Sequence, residues 1–473
     1  MIVLQSARLH RIELRTRMPF RYGIATMSDL PHVLLAITFE IDGQAAPGIA
    51  ADHLPPKWFT KDAARAPADE IKDMVAVIHA AVAHAREVEA PTVFGFWREL
   101  FAMQADWAKA RKIPPLLAHF GTSLVERALI DAFGRLRGAS FAAGLRANIF
   151  GVDLGALRPE LAGSAPRDWL PAVQPEALIA RHTVGLGDPL EDGDIPPEER
   201  LNDRLPQALD ACVRVYGLRH FKLKINGEAA RDRERLARMA KIFARECAGT
   251  DWAFSLDGNE SFRTVEEFAA YARDLMTARE LAALWPRLLF IEQPWHRDVA
   301  LSSAIAELAP AWPDRPPIII DESDAEPESL PAALALGYAG TSHKNCKGVF
   351  KGLANACRLA QRRAAGEPGL MSGEDLCNVG PVALLQDLAV QAALGVTSVE
   401  RNGHHYFAGL SAWPAAVQAH VLARHDDVYT KALVGGWPRV DVRVGEIRIG
   451  SVMRTPGLGT EIPPLDRVAS VEL

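Results

Sequence analysis

Several short apolar runs in the second half of the chain break off at a charge. They read FKLKI with Lys222 and Lys224, FSLDGN with Asp257, LFIEQP with Glu292, IIIDES with Asp321 and Glu322, TSHKN with Lys344, and LMSGED with Glu374 and Asp375. From Lys224 through Asp257, Glu292 and Asp321 to Lys344, the intervals are 33, 35, 29 and 23 residues, each the length of one strand–helix unit. Three carboxylates brought together from successive strands repel one another unless a cation neutralises them. An all-oxygen set with open positions suits a hard ion such as Mg²⁺. Histidine and cysteine are missing from these three strand ends, which argues against zinc there. Lys222 and Lys224 are two residues apart and share one side of their strand. A lysine beside a divalent cation and another ammonium has its pKa pushed down, as a general base working near neutral pH requires. Lys344, on the opposite side of the same mouth, would serve the other face of one substrate carbon.

The elements that must position these residues follow from periodicity. ALIARHTVGLG, HFKLKI, WAFSLDG, RLLFIEQP, PIIIDES, GTSHKN, GLMSGED and GVTSVERNG are β-rich runs, with amphipathic stretches such as RERLARMAKIFAREC between them. Apolar strands alternating with helices predict βα units, a parallel sheet and, with eight strands over this length, a closed barrel whose C-terminal strand ends form one active face. No GxGxxG or Walker loop supports the rival doubly wound sheet. Upstream, RIELRT and HVLLAITFEIDG read as a hairpin with a turn at Asp42-Gly43, and helical spacing runs from about residue 61 to 140. The expected organisation is an N-terminal α+β capping domain over residues 1–150, completed by the β-patterned tail from about 415 to 473, and a catalytic barrel over 175–414.

Composition narrows the function classes. The chain has 473 residues, 49% hydrophobic and 24% charged, with a net charge of −6. Such values suit a globular protein with a sizeable core and give no basic surface for nucleic acid. Five cysteines form no CxxC or zinc spacing, which fits a reducing, cytoplasmic setting. The N-terminal stretch lacks secretory patterning and no run reaches membrane-spanning length, so no membrane partner is expected. The expected partner is a small carboxylate substrate, and a homo-oligomer is anticipated.

These motifs resemble the enolase superfamily, and within it the muconate-lactonising branch of the mandelate racemase/muconate-lactonising family. KLK looks like the second-strand KxK motif, SLDGNESF like the third-strand DxN motif, FIEQP like the fourth and IIIDES like the fifth. TSLVERALIDAFGRLRG is similar to the helix leading into the barrel, and TPGLGTEI to the closing motif of the capping domain. The resemblance covers almost the whole chain. It implies a modified TIM barrel, (β/α)₇β, with an α+β cap, and Mg²⁺-assisted removal of the proton α to a carboxylate to give an enediolate. It also implies Lys224 as base, Lys344 as opposing lysine, Lys222 beside them, and Asp257, Glu292 and Asp321 as metal ligands with Asn259 nearby. Glu322 is the fifth-strand alternative, being the ligand in the mandelate-racemase branch. That branch also needs a histidine at the end of the seventh strand, where this chain has Ser372, Gly373, Glu374 and Asp375.

In this family specificity comes from two loops of the cap, here MPFRYGIATMS and ADHLPPKWF. Arg21 and Lys57 are candidates for a substrate anion, Tyr22 and Trp58 for pocket walls, and Glu374 and His404 for further substrate contacts. The acidic stretch DPLEDGDIPPEER is expected at the mouth as a lid. Racemase or epimerase, cycloisomerase and acid-sugar dehydratase all share the implied half-reaction. Two other classes stay open: a Schiff-base lysine aldolase on a barrel, and a non-catalytic barrel-type binding protein.

Overall fold

The computed structural model describes residues 1–22 and 24–473, without the side chains of residues 22 and 25, so the Tyr22 side chain lies outside the described residues. Three antiparallel strands open the chain: β1 (Ile2–Tyr22), β2 (Ala25–Ile41) and β3 (Gln44–His53). The β2–β3 hairpin turns on Asp42 and Gly43, both left-handed at φ 51° and 79°, as a two-residue type I′ turn demands. Helices α1 (Pro67–Ala85), α2 (Val93–Arg111) and α3 (Pro115–Leu136) cover one face of this sheet. Two glycines allow the close packing. A Cβ on Gly48 of β3 would stand 2.0 Å from the Ala128 carbonyl of α3, and one on Gly121 of α3 would stand 2.1 Å from that of Val77 in α1.

Eight parallel strands follow. They are β4 (Ala177–Val184), β5 (His220–Lys224), β6 (Ala253–Asp257), β7 (Leu288–Glu292), β8 (Ile318–Ile320), β9 (Gly340–His343), β10 (Leu370–Gly373) and β11 (Ser398–Arg401). Each pairs with the next in parallel, and β11 closes on β4 with Arg401 opposite His182. The result is a closed TIM-type barrel beneath an antiparallel cap, the architecture expected. The opposite face of the capping sheet packs on it: Leu14, Phe20, Met27, Leu30 and Leu34 share one apolar core with the barrel strands.

The C-terminal tail divides between the two layers. Glu446–Arg448 pairs antiparallel with β4 at the outer edge of the barrel, whereas Ser470–Glu472 pairs antiparallel with β1. Between them, Leu458 N–H and, from β3, Ile49 N–H both donate to the buried Asp131 carboxylate of α3, at 2.9 and 3.1 Å. One carboxylate thus ties tail, cap sheet and helix together. Among the described residues no helix is long and apolar enough to cross a membrane.

Candidate active site

Strand register assembles the site. Lys224, Asp257 and Glu292 are direct partners across β5, β6 and β7, so all three side chains leave the sheet on the same, inner side. Asp321 and Lys344 follow immediately after β8 and β9, and Glu374 after β10. The backbone bends sharply here: Asn259, Glu260 and Gln293 have φ of 42°, 62° and 36°. Non-glycine residues in that region cost on the order of 1 kcal/mol or more each and cluster where loops must aim functional groups. The bends are pinned. Asn259 N–H donates to Asp257 Oδ1 at 2.8 Å, and Asp321 N–H to the Gln293 side-chain carbonyl at 2.7 Å.

Buried ion pairs fill the floor. Lys222 Nζ lies 2.8 Å from Glu292, 2.9 Å from both Glu374 and Glu400, and 3.0 Å from Asp257. Lys344 Nζ donates to Asp321 at 2.6 and 2.7 Å and to Glu374 at 2.7 Å. Lys224 Nζ donates to Asp257. Burial alone would discharge Lys222, but its four carboxylate partners outweigh it and hold its pKa well above the ordinary lysine value. For Lys344 burial is likewise overcome, by Asp321 and Glu374. Both lysines are therefore held as ammoniums. The carboxylates divide too. Burial and the adjacent Glu374 push Glu292 well above the carboxylate range. Glu374 itself is driven well below it, because Lys222, Lys344 and Arg181 overcome its burial.

Glu292, Asp321 and Glu374 each offer an oxygen, all lying within 4.8 Å of one another. Glu292 Oε2 is buried without a hydrogen-bond partner. An all-oxygen cluster with one carboxylate oxygen left without a partner fits a hard divalent cation. Asp257 stands just outside this compact trio, tied to Lys222 and Lys224. Glu322 also faces the cleft, and its pKa is pushed up to about 8 by burial and by neighbouring Asp321 and Glu260.

A cleft of about 480 Å³, counting its open mouth, lies above this floor. Lys222, Lys224, Asp257, Asn259, Asp321, Glu322 and Lys344 line it from the barrel, and Phe20, Met27, Pro55 and Trp58 from the cap. Trp58 presents its ring 5.3 Å from Lys344 Nζ, close enough for a cation–π contact. Other expected contacts go elsewhere. Arg21 lines a separate hollow with Asp232 and Arg235. Lys57 pairs with Glu70 at 3.4 Å. His404 packs against His182 and Tyr216, and Glu374 is buried beneath the cleft. The acidic stretch is docked as well. Asp194 and Glu191 pair with Arg238 and Arg245 of the helix Ala229–Glu246, at 2.6 and 3.1 Å.

Sequence reasoning passed over Glu400, Lys347 and Arg181. Glu400 ends the last apolar run as the other acids do, and it binds Lys222 and Thr183. Lys347, in the same HKNCKG segment as Lys344, holds the Asp321 carbonyl and carboxylate at 3.1 and 3.2 Å. Arg181 sits mid-strand in β4, 3.5 Å from Glu374, and had no strand-end signal. The loop carrying both lysines is anchored from the cap: Glu126 of α3 accepts the N–H groups of Val349 and Phe350 at 2.9 and 2.7 Å.

No family model and no curated protein matches the sequence. Solved structures do match. A mandelate racemase/muconate lactonizing protein from Herpetosiphon aurantiacus superposes with a TM-score of 0.61 at 17% identity, over 97% of this chain and 98% of that one. An enolase from Bradyrhizobium complexed with magnesium and mandelic acid gives 0.57 at 17%, over 97% and 96%. An N-succinyl Arg/Lys racemase from Bacillus cereus gives 0.58 at 16%, over the full length of both chains. A capped barrel with acids and lysines at its mouth is an enolase-type architecture. More narrowly, the fold is that of the mandelate racemase/muconate lactonizing group.

Proposed function

We propose that this protein is a Mg²⁺-dependent enolase-superfamily enzyme that removes the proton α to a carboxylate, with Lys224 as the base. The observation that carries the reading is the division of labour among the lysines. Lys222 is locked among four carboxylates and Lys344 between two, while Lys224 reaches the cleft with Asp257 as its one ion-pair partner among the described residues. A base must give up its proton to act, and Lys224 has the fewest anions holding it. Lys344, kept as an ammonium across the same cleft, is placed to return a proton to the opposite face. That pairing favours racemase or epimerase chemistry, and cycloisomerase and acid-sugar dehydratase share the first half-reaction.

We assign Glu292, Asp321 and Asp257 to the metal. Glu374 is committed to three cations and to Ser372, which donates at 2.6 Å, so it steadies the lysines. When bound, the ion supplies charge neutralisation for the enediolate that lysine alone is too weak a base to reach. Phe20, Met27 and Trp58 of the cap wall the cleft from above. The five free cysteines, all buried, support a reducing cytoplasmic setting.

The test is a panel of acid sugars, dipeptides and N-acyl amino acids incubated with enzyme and Mg²⁺ in D₂O. Deuterium should enter at the α-carbon of at least one carboxylate, and Lys224→Ala should abolish it while Mg²⁺ binding persists. Exchange at the wild-type rate in Lys224→Ala removes that residue from the role.

A further inference from the structure

A second cluster of ligating side chains lies on the outside of the barrel wall. Along β4 the side chains alternate. Arg181 and Thr183 face inward to Glu374 and Glu400, which turns His182 outward. There it meets Cys212, on the helix Leu209–Tyr216, and His405, in the short helix Gly403–Tyr406 after β11. All three are at most 1% exposed, and each offers one ligand atom within 4.8 Å of the other two.

We propose that His182, Cys212 and His405 form a binding site for a borderline-soft divalent ion, Zn²⁺ in the first instance, which staples the seam where the barrel closes. The distances suit it. Bonds of ~2.3 Å to sulfur and ~2.0 Å to nitrogen in a tetrahedral site set neighbouring S and N ligands about 3.5 Å apart. Cys212 Sγ lies 3.5 Å from His405 Nδ1. A further imidazole steadies the set: His404 Nε2 is 3.3 Å from His182 Nδ1, the kind of outer partner that fixes a ligand's ring. His404 Nδ1 is itself buried without a partner, so the group holds more nitrogen capacity than its hydrogen bonds use.

The donor set separates this site from the acidic one. Nitrogen and thiolate ligands select zinc-like ions, whereas the all-oxygen floor selects hard ones. Burial keeps His182 and His405 neutral, which is the ligating form. Burial also holds the Cys212 thiol protonated, so loading must release a proton. The position explains what the ion would do. β11 and β4 close the barrel, joining residues more than two hundred apart in sequence, with Arg401 opposite His182. An ion held by His182 and His405 links both sides of that junction, and Cys212 adds the helix outside it.

The experiment uses the full chain stripped with EDTA, supplied with excess Mg²⁺ to fill the oxygen site, and then titrated with Co²⁺ alone. A thiolate-to-cobalt charge-transfer band should saturate at a single equivalent, vanish in Cys212→Ser and persist in Cys357→Ser. No band in the wild-type protein overturns the proposal, as does a band that survives Cys212→Ser. Should Cys212→Ser fail to fold, the wild-type protein decides alone. Zn²⁺ added to the stripped, Mg²⁺-saturated chain should raise its urea midpoint, and an unchanged midpoint rules the site out.

Discussion

Lys222→Met keeps most of the side-chain volume and deletes one charge, so it isolates what the central ammonium does. Its Nζ stands 2.8 to 3.0 Å from Asp257, Glu292, Glu374 and Glu400. At an effective dielectric constant of about 20, each such pair is worth about 6 kcal/mol before desolvation. Burying five charges absorbs most of that gross attraction, so the useful magnitude is the cost of stranding the partners. Removing one member of a buried pair costs about 3–5 kcal/mol, and four stranded carboxylates place this variant at the upper end. The pH window follows from the shifts. Lys222 is raised, so its contribution is complete below the ordinary lysine pKa of about 10.4. Glu374 is depressed, so its contribution is present above about pH 4.3 and is lost as the pH falls further. Urea unfolding followed by tryptophan fluorescence in Mg²⁺-free buffer should therefore show the full loss at pH 7, and a gap between variant and wild type that narrows only as the pH falls below about 4.3. A loss below about 1 kcal/mol at pH 7 would refute the view that this ammonium holds the carboxylates together.

Glu292→Gln should weaken Mg²⁺ binding by about tenfold or more in calorimetric titration, since even outer-shell losses cost that much; unchanged affinity removes Glu292 as a ligand. Trp58→Ala should lower substrate affinity and cost Lys344 a cation–π contact of about 0.5–2 kcal/mol, read as a raised KM. Glu126 has its pKa raised to about 7, chiefly by burial. A raised carboxyl binds its proton more tightly in the folded state, so wild-type stability should fall as the pH climbs from about 4.5 to 7, by up to ~3 kcal/mol. Glu126→Gln cannot ionise, so that slope should disappear from its urea midpoints; a slope equal to wild type would show that Glu126 does not titrate there.

The hydrophobic period and the charges at strand ends carried the barrel, because each strand must bury its apolar run and can place a charge only where it leaves the sheet. Asp257, Glu292, Asp321 and Lys344 were legible for that reason, and Glu400 obeys the same rule. Arg181 was hidden, since a charge inside a β-run gives no sign of which face it takes or which acid awaits it. The cap loops were harder still. Trp58 reaches the cleft while Lys57 beside it turns to Glu70, and only the path of the backbone separates them.

By itself the sequence determined the order of strands, the cap and the set of acids and lysines delivered to one mouth, because these depend on local periodicity and connection length. Tertiary structure alone decided who pairs with whom. It drew Glu374 into the centre, surrounded Lys222 and Lys344 with carboxylates, left Lys224 to one ion-pair partner among the described residues, and gathered His182, Cys212 and His405 across the closing seam. Charge states in a buried cluster are set by the sum of neighbours within a few ångströms, and those neighbours arrive from strands far apart in the chain.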